Sequence, residues 1–163
     1  MPTWNINAEP VTGTGVAEAM SQYFSEMGLR VLNRPVTEAE LREVLNEDPH
    51  DDLSPPHGEF LVARDGNGRI LGYAGVRLLA GIPATVELKR MYVHPAGRGA
   101  GLGRGLLLAV EAAAQKLGAS QIVCETNTEL TEARALYTTH GYEEIAPYDG
   151  HGKADHWYAK ALG

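Results

Sequence analysis

The run Arg98-Gly99-Ala100-Gly101-Leu102-Gly103-Arg104 lies between a strand-like stretch, Val86 to Val93, and a helix-like one, Leu102 to Leu117. Such a junction can hold a pyrophosphate. Glycines let the main chain come close to a ligand, the first turn of a helix leaves N–H donors unsatisfied, and the dipole end there is positive. The spacing Arg-x-x-Gly-x-Gly is weak by itself, and its place between strand and helix sharpens it. Two other phosphate loops are excluded. Glycines at 97, 99, 101, 103 and 105 never form Gly-x-Gly-x-x-Gly, the dinucleotide spacing. A Walker-type loop fails because Gly152-Lys153 is followed by Ala154 and position 147 is Pro.

Other reactive residue types offer less. Cys124 is the one cysteine, so it forms no internal disulfide, and within Ile122-Val123-Cys124 it reads as a small buried hydrophobe rather than a nucleophile. None of the six histidines has a spacing that makes a metal site, so no metal is expected. His94 precedes Pro95 at a turn, His140 adjoins a capping glycine, and His50, His57, His151 and His156 fall in or beside loops. His151 or His156 is an alternative base from the C-terminal region.

A formal charge of −7 argues against general binding to nucleic acid or anionic membranes. It suits a cationic partner, or merely keeps the chain soluble. No apolar stretch reaches the length of a bilayer span, and the start Met1-Pro2-Thr3-Trp4-Asn5 has neither a basic cluster nor an apolar core, so a cytoplasmic protein is expected. The 163 residues fit a single domain over 1–163.

The elements that must position the loop follow from periodicity. A short strand is expected at Thr3 to Asn7. Val16, Met20, Tyr23, Phe24 and Met27 recur at helical spacing and end near Gly28. Thr37-Glu38-Ala39-Glu40 is a capping box opening a helix to about Asn46, and Asp48 to Pro56 is a loop. Glu59 to Arg64 and Arg69 to Leu79 flank Asp65-Gly66-Asn67-Gly68 as a hairpin, both glycine pairs being expected to supply positive φ. Val86 to Val93 is a third strand. The helix Leu102 to Leu117 closes at Gly118, Gln121 to Glu125 is a short buried strand, Leu130 to His140 is a helix capped by Gly141, and His156 to Leu162 is a last strand. One or two strands complete the C-terminal part. The strand–helix–strand unit demands a parallel pair, so the sheet is α/β and mixed, mostly antiparallel, with helices on both faces.

This order resembles the GNAT superfamily of acetyl-CoA-dependent N-acetyltransferases over roughly Glu59 to Leu162. Glu87-Leu88-Lys89-Arg90-Met91-Tyr92-Val93-His94-Pro95 leading into Arg98-x-x-Gly101-x-Gly103 resembles the superfamily's acetyl-CoA motif. Cys124-Glu125-Thr126-Asn127 followed by Ala133-x-x-Leu136-Tyr137-x-x-x-Gly141-Tyr142 is similar to its second block, and Tyr148 to Tyr158 resembles the ending of small bacterial members.

The resemblance implies acetyl-CoA as co-substrate. Amides from Arg98 to Arg104, through Gly99, Ala100, Gly101, Leu102 and Gly103, would bind its pyrophosphate, and the main chain of Met91, Tyr92 and Val93 would pair with the pantetheine arm. A Cβ at Gly101 or Gly103 would block that approach. Arg98 and Arg104 add charge near the phosphates or only solvate the helix start. Asn127 would touch the pantetheine or serve its own turn. Ala133, Leu136 and Tyr137 line the second block. Tyr137 is implied as the acid that protonates the leaving thiolate, its alternative being a core tyrosine. The Val93 N–H would polarise the carbonyl. Glu87, expected to share strand parity with Met91 and Val93, matches a general-base position, its alternative being an ion-paired strand residue.

The implied reaction is direct transfer to a primary amine, without a covalent intermediate. Acceptor choice would lie with the N-terminal helices and the loops Asp48 to Pro56, Leu79 to Ala84 and Tyr148 to Asp155. Asp48, Asp51, Asp52 and Asp149 favour a small cationic acceptor. Protein or peptide acetylation, at a lysine or an N-terminus, and a non-catalytic CoA-sensing module are the alternatives. A homodimer is expected by family analogy.

Overall fold

The computed structural model describes residues 3–47, 51–149 and 154–163. Asp48, His50 and Gly150 to Lys153, His151 among them, lie outside the described residues. Strands β1 (Asn5–Ala8), β2 (Gly58–Arg64), β3 (Ile70–Leu78), β4 (Thr85–Val93), β5 (Gln121–Thr126), β6 (Glu143–Ile145) and β7 (His156–Ala161) form one sheet in the order β1-β2-β3-β4-β5-β7-β6. Every neighbouring pair is antiparallel except β4 and β5. Helices α1 (Val16–Leu32), α2 (Glu38–Glu47), α3 (Leu102–Lys116) and α4 (Thr131–Thr139) complete the described elements.

Each face of the sheet carries its own core. On one, Leu102, Leu106, Leu107 and Val110 of α3 and Tyr137 of α4 pack on Ala74, Val76, Val86, Leu88, Ile122 and Cys124. On the other, Val16, Ala19 and Met20 of α1 pack with Leu53 on Phe60, Val62, Tyr73 and Tyr92. Leu53, 1% exposed, is a loop residue that lies against Gly75, where a Cβ would come within 2.8 Å of its Cδ1. Leu53→Ala leaves a hole that the strand backbone cannot fill. It is expected to cost about 3 kcal/mol, a fall of roughly 6–12 °C in Tm by calorimetry.

Helix α1 runs past Gly28 to Leu32 and stops at Asn33, whose φ of 56° takes the left-handed cap. Gly28 sits where Val36 packs onto the helix, so it serves close approach rather than termination. The capping box of α2 is formed as expected. Thr37 Oγ1 accepts from Glu40 N and Glu40 Oε1 accepts from Thr37 N, each at 3.1 Å. In the β2–β3 turn only Gly68 has positive φ, while Asp65 Oδ1 accepts from the amides of Asn67 and Arg69. A carboxylate there replaces the expected second glycine.

The site is created where β4 and β5 part. Only Thr85, Val86 and Glu87 pair with β5, opposite Gln121, Ile122 and Val123. Beyond them β4 continues beside β3 and β5 beside β7, leaving a wedge between them. A bulge starts the divergence. Gly75 faces Lys89 and Tyr73 faces Tyr92, so Ala74 opposes two residues, and Arg90 adopts φ 58°. An extra residue of this kind bends a strand and raises its twist. Its guanidinium rests 4.9 Å above the Phe24 ring.

Candidate active site

The glycine loop is held at the mouth of this wedge. His94 Nδ1 accepts from Ala96 N to start the turn Pro95–Gly97, after which Gly99 and Gly101 take φ values of 81° and 76°. Gly101 is the N-cap of α3 and has no capping side chain. Among the described residues, no main-chain carbonyl accepts from the amides of 99–104; the first bond into the helix is Gly105 N to Gly101 O. The loop therefore offers successive free donors at a positive helix end, which fits the diphosphate of CoA. Gly101 is required by its φ, with open space where a Cβ would stand, whereas at Gly103 a Cβ would already meet Leu136 at 3.4 Å.

The arginines are placed differently from the loop's amides. Arg98 Nε donates to Val93 O at 3.1 Å and its Nη2 donates to Glu26 on α1 at 2.8 and 3.0 Å. Arg104 is exposed on the first turn of α3. Leu102 is buried and contributes only its amide. His94 N bonds to Leu71 O on β3, so by strand alternation the polar groups of Val93 turn the other way, into the wedge. The Met91 and Val93 side chains pack on the α3 core, and Tyr92 stacks on Tyr23 at 5.7 Å. Asn127 closes a turn by accepting from Leu130 N.

The bulge corrects the expected strand parity. Val86 and Leu88 share the α3 face with Met91 and Val93, so Glu87 points to the opposite face. There both of its oxygens are engaged. Arg77, its register partner on β3, donates from Nε and Nη2 to Oε1 at 3.1 and 2.9 Å, and Tyr148 donates to Oε2 at 2.6 Å. Arg77 also bonds Asp52 at 3.2 Å. Glu125, whose register partner is Trp157 on β7, joins this group. Carboxylate oxygens of Glu87, Glu125 and Asp149 lie within 4.8 Å of one another.

Glu125 has a buried oxygen without a hydrogen-bond partner among the described residues. Its Oε1 is 3.9 Å from Lys89 Nζ, while Oε2 is shielded from solvent and receives no hydrogen bond. Burial, then the neighbouring Asp149 carboxyl, raises its pKa to about 7 against the opposing pull of Lys89. Asp149 is oriented from its other side by Trp157 Nε1 at 3.3 Å. Neither Glu125 nor Tyr148 stood out as a chemical residue in the sequence, because their register across the wedge depends on β7 and the bulge.

Tyr137 approaches from the other face. It is 5% exposed, flanked by Tyr142 and Tyr158 with ring centroids at 5.5 and 5.6 Å. Burial, then proximity to Cys124, keeps its phenol protonated well above the usual range. Burial likewise raises the Cys124 thiol, which disfavours a thiolate there. Cys124 and Glu125 are successive residues of a strand and so face opposite ways. A buried phenol and a half-buried carboxyl group thus stand on the two sides of the same strand end. Ala133 and Leu136 pack beside Tyr137. His156 is committed to structure, with Nδ1 2.9 Å from Glu144 and Nε2 3.0 Å from Thr128 Oγ1.

A split mixed sheet with an open amide loop at the split defines an acyl-CoA-dependent transferase. The model of the acetyltransferase (GNAT) domain matches residues 56–144, and the chain belongs to that family. An N-acetyltransferase of Schizosaccharomyces pombe is 36% identical over 129 residues, covering 79% of this chain and 75% of that one. The N-alpha-acetyltransferase RimI of Mycobacterium tuberculosis is 30% identical over 85% of this chain and 82% of its own. Among solved structures, a GNAT acetyltransferase of Staphylococcus aureus superposes with a TM-score of 0.79 at 19% identity, covering 99% of this chain and 100% of that one. No helix among the described residues is long and apolar enough to cross a membrane.

Proposed function

We propose that this acetyltransferase moves the acetyl group of acetyl-CoA directly to a primary amine of a small cationic molecule. One observation carries the acceptor class. Glu87, Glu125 and Asp149 gather their oxygens within 4.8 Å on one side of the wedge, and such a site attracts an ammonium group. The loop amides of 99–104 hold the diphosphate, and the Met91–Val93 main chain aligns the pantetheine. The Val93 N–H polarises the thioester carbonyl.

In this reading Glu125, rather than Glu87, takes the proton from the ammonium, because Glu87 is already occupied by Arg77 and Tyr148. The freed nitrogen attacks the carbonyl carbon, the C–S bond breaks as Tyr137 gives its proton to the departing sulfur, and the second proton that the nitrogen sheds on becoming an amide restores the phenol. Glu87 and Arg77 fix the wall of the site. A homodimer in the cytoplasm, built from one domain per chain, belongs to the same reading.

RimI favours a second reading, a peptide N-terminus as acceptor, since the similarity to it spans 85% of this chain. A panel of polyamines, aminoglycosides, amino acids and peptides, scored by CoA release, separates the two. Turnover confined to small cations supports the proposal, and turnover confined to peptides overturns it in favour of the second reading. Tight CoA binding without turnover on any amine identifies a CoA-sensing module.

A further inference from the structure

We propose that Trp4 is a positioning residue for the co-substrate diphosphate, its indole N–H fixing the Ala100 peptide so that the loop's amides face outward. The proposal rests on residues 98–104 being the diphosphate cradle. Trp4 directly precedes β1, yet its Nε1 donates to Ala100 O, 96 positions away, at 3.3 Å. Its ring is wedged against α3. A Cβ at Gly105 would lie 2.6, 3.1 and 3.3 Å from three atoms of the benzo edge. Gly105 is thus the seat of the indole, one turn into the helix that the loop begins.

The loop needs such a prop. Ala100 stands between Gly99 and Gly101, both in the left-handed region, and nothing lies within 4 Å of where their Cβ atoms would stand. Neither side-chain packing nor a capping side chain holds it. A peptide flanked by glycine on either side rotates at little cost, and rotation would present a carbonyl oxygen to an incoming anion. In a trans peptide the C=O and the following N–H point in opposite directions. Holding Ala100 O on Trp4 therefore sends the Gly101 N–H away from Trp4, into line with the other free donors. The single hydrogen bond also forms no part of the sheet ladder, so its loss is local.

Trp4→Phe in the full chain keeps much of the ring and removes the N–H. Calorimetry is expected to show affinity for CoA and for its 3′-phospho-ADP half falling about 3- to 10-fold, the value of one neutral hydrogen bond, with affinity for pantetheine unaltered. KM for acetyl-CoA rises accordingly while kcat at saturation stays close to that of the unaltered chain. Gly105→Ala pushes the indole off its seat and reproduces the same selectivity, which decides the matter if Trp4→Phe folds poorly. Equal losses for pantetheine and 3′-phospho-ADP, or no loss in either variant, overturn the proposal. Failure of the unaltered chain to bind CoA would instead sink the cradle itself.

Discussion

Tyr137→Phe is expected to lower kcat about 10²- to 10³-fold while the dissociation constant for acetyl-CoA stays within about twofold, the range for loss of a positioned general acid. The ring is buried among Tyr142, Tyr158 and Cys124, and the phenylalanine ring fills the same space without the hydroxyl. Packing is thus preserved and proton donation is lost. Burial keeps the phenol protonated, so its proton is in place when the sulfur departs, while the raised pKa makes it a weaker acid than a free phenol. Stopped-flow or CoA-release kinetics with calorimetry would check it, and a variant with unaltered turnover removes Tyr137 from the chemistry.

Glu125→Gln is expected to lower kcat/KM by roughly 10²-fold or more at pH 7.5, and to flatten its dependence on pH. In the unaltered chain kcat/KM should rise as pH passes through about 7, where Glu125 loses its proton. The groups facing it are Glu87 and Lys89 on β4 and Asp149 before β7, and each of them moves that value. Stability moves the opposite way. A carboxyl group whose folded pKa is raised holds a proton that the unfolded chain releases, so the fold loses stability as pH climbs from the ordinary carboxylate range to about 7. Glutamine removes that loss. The variant should therefore melt higher than the unaltered chain at pH 8 and lose the advantage near pH 5. A variant that keeps its activity and pH profile returns the role of base to another group.

Much of the architecture was legible because it is local. The capping box at Thr37 and Glu40, the β2–β3 hairpin and the alternation from strand to helix after Val93 are decided within a few residues and form as expected, although in the hairpin turn Gly68 alone takes the positive φ expected of both glycines. The loop was equally readable, since Gly99 and Gly101 advertise the conformation they adopt. The error at Glu87 has a different origin. Counting in twos from Glu87 to Met91 assumes an unbroken strand, and the bulge at Arg90, which carries no glycine, shifts the count by one. Glu125, Tyr148 and Trp4 meet their partners 61 to 96 positions away or across strand pairs. Such register is set by tertiary packing, which periodicity along one segment does not encode. Gly105 was the one local trace of Trp4, an interior helical glycine that propensity alone disfavours.

Helix α1 touches both rims of the wedge: Glu26 binds Arg98 at the glycine loop, and Arg30 binds Glu132 at 2.7 Å and the Glu129 carbonyl at 2.6 Å beside α4. The two halves of the sheet share only three residue pairs where they meet. A helix whose inner face is buried on the sheet thus acts as a tie-beam across a hinge-like seam, joined at each end by charges that solvent can reach. The two sides of the gap are therefore tied from outside it, and the guanidinium beside the loop is already paired with Glu26.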